Sequence, residues 1–103
     1  MRYNVEVSDL AEEQYDAILN YLANVKKNPQ AVNGVIADYD FAIEQLEEKA
    51  ELFGFCKKQM LRGLGFRKLL FRKHRYLFVY RIIEDRVIIE GMYHELQDYE
   101  NAL

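Results

Sequence analysis

The chain has 103 residues, 50% of them apolar, 14% aromatic and 30% charged, with five Gly, one Pro and a net charge of −3. That balance excludes collagen-like, low-complexity and disordered chains, and the length predicts one domain, residues 1–103, with a modest core. The single cysteine, Cys56, excludes an intrachain disulfide, and His74 and His94 have no cysteine beside them, so no metal and no cofactor is expected. No apolar run approaches the ~20 residues that span a bilayer, and Met1–Ser8 lacks a signal-peptide core. The expected location is the cytoplasm, with no membrane partner.

Tyr3–Val7 alternates apolar and polar residues, as a half-buried strand does. Ser8-Asp9 is a helix-start signal, because a short side-chain oxygen caps free N–H groups and an acid suits the dipole. Leu10, Ala11, Ala17, Ile18, Tyr21, Leu22 and Val25 then recur at helical spacing, with Glu12, Glu13, Asp16 and Asn20 on the wet side. Lys26 and Lys27 suit the C-terminal end. Asn28-Pro29 stops this helix and starts a second one, from about Pro29 to about Leu52. Its apolar stripe is Val32, Val35, Ile36, Tyr39, Ala42, Ile43, Leu46 and Ala50, with Asp38, Asp40, Glu44, Glu47 and Glu48 expected outside. Gly54 is the expected stop. So short a connection predicts an antiparallel helix hairpin.

Beyond Gly54 the period changes. Phe66–Phe71, Tyr76–Ile83 and Arg86–Tyr93 are rich in aromatic and β-branched residues, separated by Arg72–Arg75 and Glu84-Asp85. These predict a three-strand antiparallel meander whose middle strand is covered on both faces. Tyr76, Phe78, Tyr80 and Ile82 share one face; Leu77, Val79, Arg81 and Ile83 share the other. The tail, Glu95–Leu103, is short and polar. The predicted order is β-α-α-β-β-β: an α+β domain with an antiparallel sheet, which Tyr3–Val7 joins, and the helix hairpin packed on one face.

Charge is unevenly spread. Residues 57–86 hold ten basic and two acidic side chains, hence +8, and the rest of the chain sums to −11. Such a split predicts either a solvated surface that neutralises itself across the fold or two faces with different partners. The tip Arg72-Lys73-His74-Arg75 is the densest cationic cluster. Arg62, Lys68, Arg72, Lys73, Arg75 and Tyr99 are the candidate contacts to nucleic acid or to an acidic protein. Pairing around that tip sets Arg67 opposite Tyr80 or opposite Arg81. In the second register two cations meet, and the filler between them is a helix acid such as Asp38 or Glu44, a phosphate, or a partner carboxylate. The open anion site is the version preferred here. Tyr76, Phe78 and Tyr80 read as core rather than a base-stacking platform, and Cys56 reads as a small apolar residue.

Five segments in order carry a resemblance: Tyr3–Ala11 (Y-N-V-E-V-S-D-L-A), Asn28-Pro29-Gln30-Ala31, Gly65–Leu69 (G-F-R-K-L), Arg75–Ile82 (R-Y-L-F-V-Y-R-I) and Tyr93–Leu103 (Y-H-E-L-Q-D-Y-E-N-A-L). Together they resemble the RelE/ParE superfamily of toxins from bacterial type II toxin–antitoxin, or plasmid-stabilisation, systems. The resemblance implies a growth-inhibiting toxin neutralised by a cognate antitoxin. It would touch operator DNA only through that antitoxin, whose gene would lie alongside. Its target would be DNA gyrase, as in ParE-like members, or mRNA on the ribosome, as in RelE-like ones. For metal-free cleavage the resemblance points to Arg67, with Arg81 and His94 as further catalytic candidates. His94 reads equally as a structural residue closing the last strand. Two positions where RelE-like members carry basic residues hold Leu69 and Leu77 here, which favours ParE-like binding over cleavage. Leu96 stands where a basic C-terminal residue is usual, which weakens the gyrase reading too and leaves a detoxified, antitoxin-binding protein as a third possibility.

Overall fold

In the computed structural model, which describes residues 2–103, the elements are β1 (Asn4–Val7), α1 (Asp9–Asn20), a π-helical turn (Tyr21–Val25), α2 (Pro29–Lys49), a 3-10 turn (Ala50–Leu52), α3 (Gln59–Gly63), β2 (Arg67–Leu70), β3 (Tyr76–Ile83), β4 (Arg86–His94) and α4 (Tyr99–Ala102). Capping chemistry sets the helix starts. The Ser8 hydroxyl accepts the Ala11 N–H at 3.1 Å, and the Asn28 side chain accepts that of Ala31 at 3.1 Å, with Pro29 in the first turn. The helix stops differ from expectation. The first helix closes through the π-helical turn, after which Lys27 takes φ 50°. The second ends in the 3-10 turn and an extended Phe53, so Gly54 is not a left-handed cap. The glycine that a backbone turn does require is Gly65, at φ 86°, on the way into β2.

The sheet order is β1-β4-β3-β2. The meander is antiparallel as expected, but β1 runs parallel to β4, with Asn4 beside Arg86 and Val7 beside Ile89. The sheet is therefore mixed. The cause is the path of the hairpin. The Gln14 side chain accepts the Met92 N–H, so α1 advances past the sheet in the sense of β1 and β4. Helix α2 then returns, with Gly34 against the β2–β3 turn and the Glu47 carbonyl accepting the Tyr3 N–H. One return brings the chain back to where β1 began, so β2 repeats the direction of β1. The last strand of a three-strand meander shares the direction of its first.

One sheet face packs on the helix hairpin through Val35, Ala42, Leu46, Leu69, Phe71, Phe78, Tyr80, Val87, Ile89 and Met92. The opposite face is covered too. Cys56, Leu61, Leu77, Val79 and Tyr93 form a second cluster, closed by Phe66, Tyr99 and Leu103. The tail is thus not a free polar end. Gly91 is part of this packing, because a Cβ there would stand 2.5 Å from the Tyr93 ring. A β-bulge between Val79 and Tyr80 leaves Glu90 without a partner on β3.

Several assignments of the helical stripes change. Asp38, expected outside, is 1% exposed; Leu10, Tyr21 and Val25, expected inside, are 50%, 47% and 66% exposed, and Ala17 is exposed too.

Candidate functional site

The three candidate catalytic residues do not converge. Arg67 stands opposite Tyr80, so the register that would pair it with Arg81 is not the one formed. Opposed residues share a face, which places Arg67 on the helix side and Arg81 on the other. His94 stands opposite Tyr76, about 13 Å up β3 from Tyr80 at ~3.3 Å per residue.

Each has a local task. The Arg67 guanidinium donates to the Phe53 carbonyl at 2.6 Å and the Glu51 carbonyl at 3.2 Å, and its carbon lies 3.9 Å from the centre of the Phe55 ring. It closes the carbonyl-rich C-terminal end of the second helix, where a cation is favoured. Arg81 meets neither Asp38 nor Glu44. It donates through Nε and Nη2 to Glu90 Oε2 at 2.7 and 2.6 Å, and lies over Phe66. Glu90 lies on the face Arg81 occupies, two residues beyond Ile88, which stands opposite Arg81, and the bulge leaves it unpaired on β3. His94 Nδ1 accepts the Leu96 N–H at 3.1 Å, and the ring meets Tyr76 edge-on, which is the strand-closing geometry.

These placements make two predictions. Arg67→Ala should lower unfolding free energy by about 1–2 kcal/mol in a urea titration, because the part-buried Phe53 carbonyl and the exposed Glu51 carbonyl lose a charged donor; Arg67→Lys should recover part of it. Arg81→Ala should change stability by no more than about 1 kcal/mol, since solvent screens a pair whose arginine is 36% exposed. A loss well above that in a thermal melt would show that the pair is braced by more than its own contact.

The basic segment divides into two exposed surfaces. One is an open concavity of ≈ 660 Å³ lined by Phe55, Lys57, Gln59, Arg62 and Gly63. Helix α4 buttresses its rim. Glu100 accepts the Lys57 and Lys58 N–H groups at 3.1 and 2.6 Å, Asn101 accepts Lys58 Nζ, and Tyr99 Oη accepts Lys68 Nζ at 3.3 Å. Burial raises the Glu100 pKa, but those amides and nearby Lys68 outweigh it and hold the carboxyl below its usual range.

The other surface is the β2–β3 turn, and its backbone is held by a cluster that sequence reasoning did not find. Asp38 Oδ2 accepts the Lys73 N–H at 3.0 Å and the His74 N–H at 2.8 Å, and His74 Nδ1 lies 2.9 Å away. The His74 ring fits only because residue 34 is glycine: a Cβ there would stand 2.5 Å from the imidazole. The Arg72 guanidinium lies 4.1 Å from the centre of the Phe41 ring, and Arg75 is 3.4 Å from Glu95. A signal existed: Asp38 falls on the helical stripe of Val35, Ala42 and Leu46.

No protein-family model matches the sequence, and no curated protein is similar to it at a significant level. By shape the chain is similar to a chain of the chromosomal ParDE toxin–antitoxin system from P. aeruginosa, with a TM-score of 0.72 over 90% of this chain and 96% of that one at 15% identity. It is also similar to a chain of the RelBE2 toxin–antitoxin complex from Mycobacterium tuberculosis, with a TM-score of 0.58 over 91% of this chain and 99% of that one at 18% identity. The chain has the RelE/ParE fold. On that fold Leu77 lies wholly inside the second core and Leu69 inside the first, while Leu96 is 78% exposed. Neither of the first two positions presents its side chain to solvent.

Proposed function

We propose that this chain is the toxin of a type II toxin–antitoxin pair, that it arrests growth by ParE-like binding to DNA gyrase rather than by cutting RNA, and that a cognate antitoxin neutralises it. The fold shared with chains of the ParDE and RelBE2 systems supports the toxin assignment. The observation that carries the choice of mechanism is the scatter of the cleavage candidates. Arg67, Arg81 and His94 occupy different faces and heights of the sheet, and each is held by an internal partner. Cleavage of a ribose–phosphate linkage requires acid, base and charge-stabilising groups around one phosphorus. One observation favours the alternative, a ribosome-dependent mRNA endoribonuclease: Lys57 and Arg62 line an open concavity with Phe55.

Expressed alone from an inducible promoter, the protein is expected to stop growth, and the purified protein to inhibit gyrase supercoiling. Co-expression of a small neighbouring gene with a DNA-binding N-terminus and a charged amphipathic C-terminus should restore growth. Codon-positioned mRNA cuts on translating ribosomes, lost in Lys57→Ala or in Arg67→Ala protein that still folds, would replace the binding mechanism by cleavage. Unimpaired growth would leave only the antitoxin-binding role.

A further inference from the structure

Two pairs of tyrosines stack among the described residues. Tyr15 of α1 and Tyr39 of α2 lie with ring centres 3.9 Å apart and planes within 10° of parallel, while Tyr93 and Tyr99 lie 6.0 Å apart at 28°. The first pair is closer than the roughly 4.5–7 Å at which aromatic rings usually meet, and it is nearly face to face. It forms part of the seam of the helix hairpin. Both rings are half-buried against the first core, and Phe78 meets Tyr39 edge to face at 5.3 Å. Helix packing therefore holds two phenols in contact.

Three features make this pair the place where a one-electron oxidation would be consumed. The chain has no tryptophan, so tyrosine is its most readily oxidised ring. The field around the pair is negative. Burial first, then neighbouring charge, raises both phenol pKa values, that of Tyr15 to about 12; Asp16 and Asp40 act on both rings and Glu12 on Tyr39. The same carboxylates favour the loss of an electron, because they stabilise the positive charge it leaves behind. The second pair has the opposite setting, since Lys68 Nζ donates to Tyr99 Oη and lies 5.8 Å from the centre of its ring. Finally, two radicals generated in contact need no diffusion step before they combine.

We propose that Tyr15 and Tyr39 form a modification site: a one-electron oxidant converts them into an intrachain dityrosine that ties α1 to α2. Each phenol gives one electron to the oxidant and its hydroxyl proton to water or to a neighbouring carboxylate. The two phenoxyl radicals then pair their electrons in one C–C bond between ring carbons ortho to the oxygens. The hydrogen on each of those carbons moves as a proton to the oxygen, which restores both hydroxyls. Each cross-link thus releases two electrons and two protons and reduces two equivalents of oxidant. Nothing in the proposed function depends on either tyrosine.

The test uses the full chain and tris(bipyridine)ruthenium(III), a one-electron oxidant made by light from the ruthenium(II) complex and persulfate. Its positive charge suits the acidic surroundings of the pair. Monomer isolated by gel filtration should show dityrosine fluorescence and a mass lower by two hydrogens. Trypsin cleaves after Lys26 and Lys27, so the bridge should join peptides 3–26 and 28–49, and Tyr39 is the one tyrosine in the second. Tyr15→Phe and Tyr39→Phe keep a ring in the stack, and each should lower the yield of that linked product about tenfold or more. Tyr21→Phe and Tyr99→Phe should leave the yield unchanged. Far-UV circular dichroism should show all four variants folded. The bridged monomer should also unfold at higher urea than the unbridged one, because the cross-link restricts the unfolded chain. Absence of the linked product, a yield insensitive to Tyr15→Phe, or a bridge formed chiefly between Tyr93 and Tyr99 would overturn the proposal. So would cross-linked dimers through Tyr21, which is 47% exposed, in place of the bridged monomer.

Discussion

Leu77→Arg should leave the protein largely unfolded at room temperature, although it restores a basic residue where RelE-like members carry one. Leu77 is 0% exposed and packs with Cys56, Leu61, Val79 and Tyr93 under the cover of α3 and α4. The acids beside that cluster are already engaged, Glu100 by the Lys57 and Lys58 amides and Glu90 by Arg81. An arginine there must either bury an unpaired guanidinium or displace the cover, and either route costs several kcal/mol. A domain of this size has a total stability of only about 5–15 kcal/mol, so a loss of ~4 kcal/mol or more removes most of it. Leu77→Met, which keeps volume and polarity, should cost less than ~1.5 kcal/mol and serves as the control. Leu69→Arg should fall between them. Leu69 is buried on the helix side but sits on the edge strand, where a long side chain can carry its charge to water. Urea denaturation followed by circular dichroism ranks the three. A Leu77→Arg protein within ~1 kcal/mol of wild type would show that the α4 cover opens at little cost, and a cleavage surface would then be within reach on that face.

The second large effect is expected at the β2–β3 turn. Asp38→Ala removes a buried acceptor from two backbone amides and one imidazole, and should lower stability by about 2–4 kcal/mol. Burial alone would raise the Asp38 pKa. The bonds from the His74 ring and the Lys73 and His74 amides, with attraction to His74, outweigh burial and bring it below the ordinary value. The sign of the pH dependence follows. A carboxyl whose folded pKa lies below its unfolded value of ~3.9 binds fewer protons in the native state. Its contribution is therefore complete above ~pH 4–5 and is lost as the pH falls through the lowered folded value. The gap between wild type and Asp38→Ala should hold steady near neutrality and narrow in strong acid. A gap that widened on acidification would mean that the native carboxyl is protonated first, and the bonding scheme would be wrong. Gly34→Ala gives an independent check. Its Cβ would stand 2.5 Å from the imidazole, so it should displace the His74 ring and destabilise the turn while leaving Asp38 in place.

Much of the architecture was legible residue by residue. Ser8 and Asn28 announce both long helices, because a short side-chain oxygen next to an apolar-periodic run has few other uses. The aromatic and β-branched runs around Arg72–Arg75 and Glu84-Asp85 define the meander, and the register with Arg67 opposite Tyr80 was one of two derived from the turn. These signals lie within a few positions of the structure they specify.

What tertiary structure alone decided depends on distant partners. The parallel seating of β1 on β4 follows from the direction in which α1 leaves the sheet, which Tyr3–Val7 does not encode. The fate of the Arg67–Arg81 site hung on a one-residue register, and in a strand of period two that step sends a side chain to the other face. Glu90 became the partner of Arg81 because the β3–β4 register sets it two residues beyond Ile88, which stands opposite Arg81. Asp38 looked like a solvent-facing acid until Lys73, His74 and Gly34, far away in sequence, enclosed it. Composition and periodicity state which residues prefer to be buried. Whether a charge can be buried is settled by the donors that the rest of the chain brings to it.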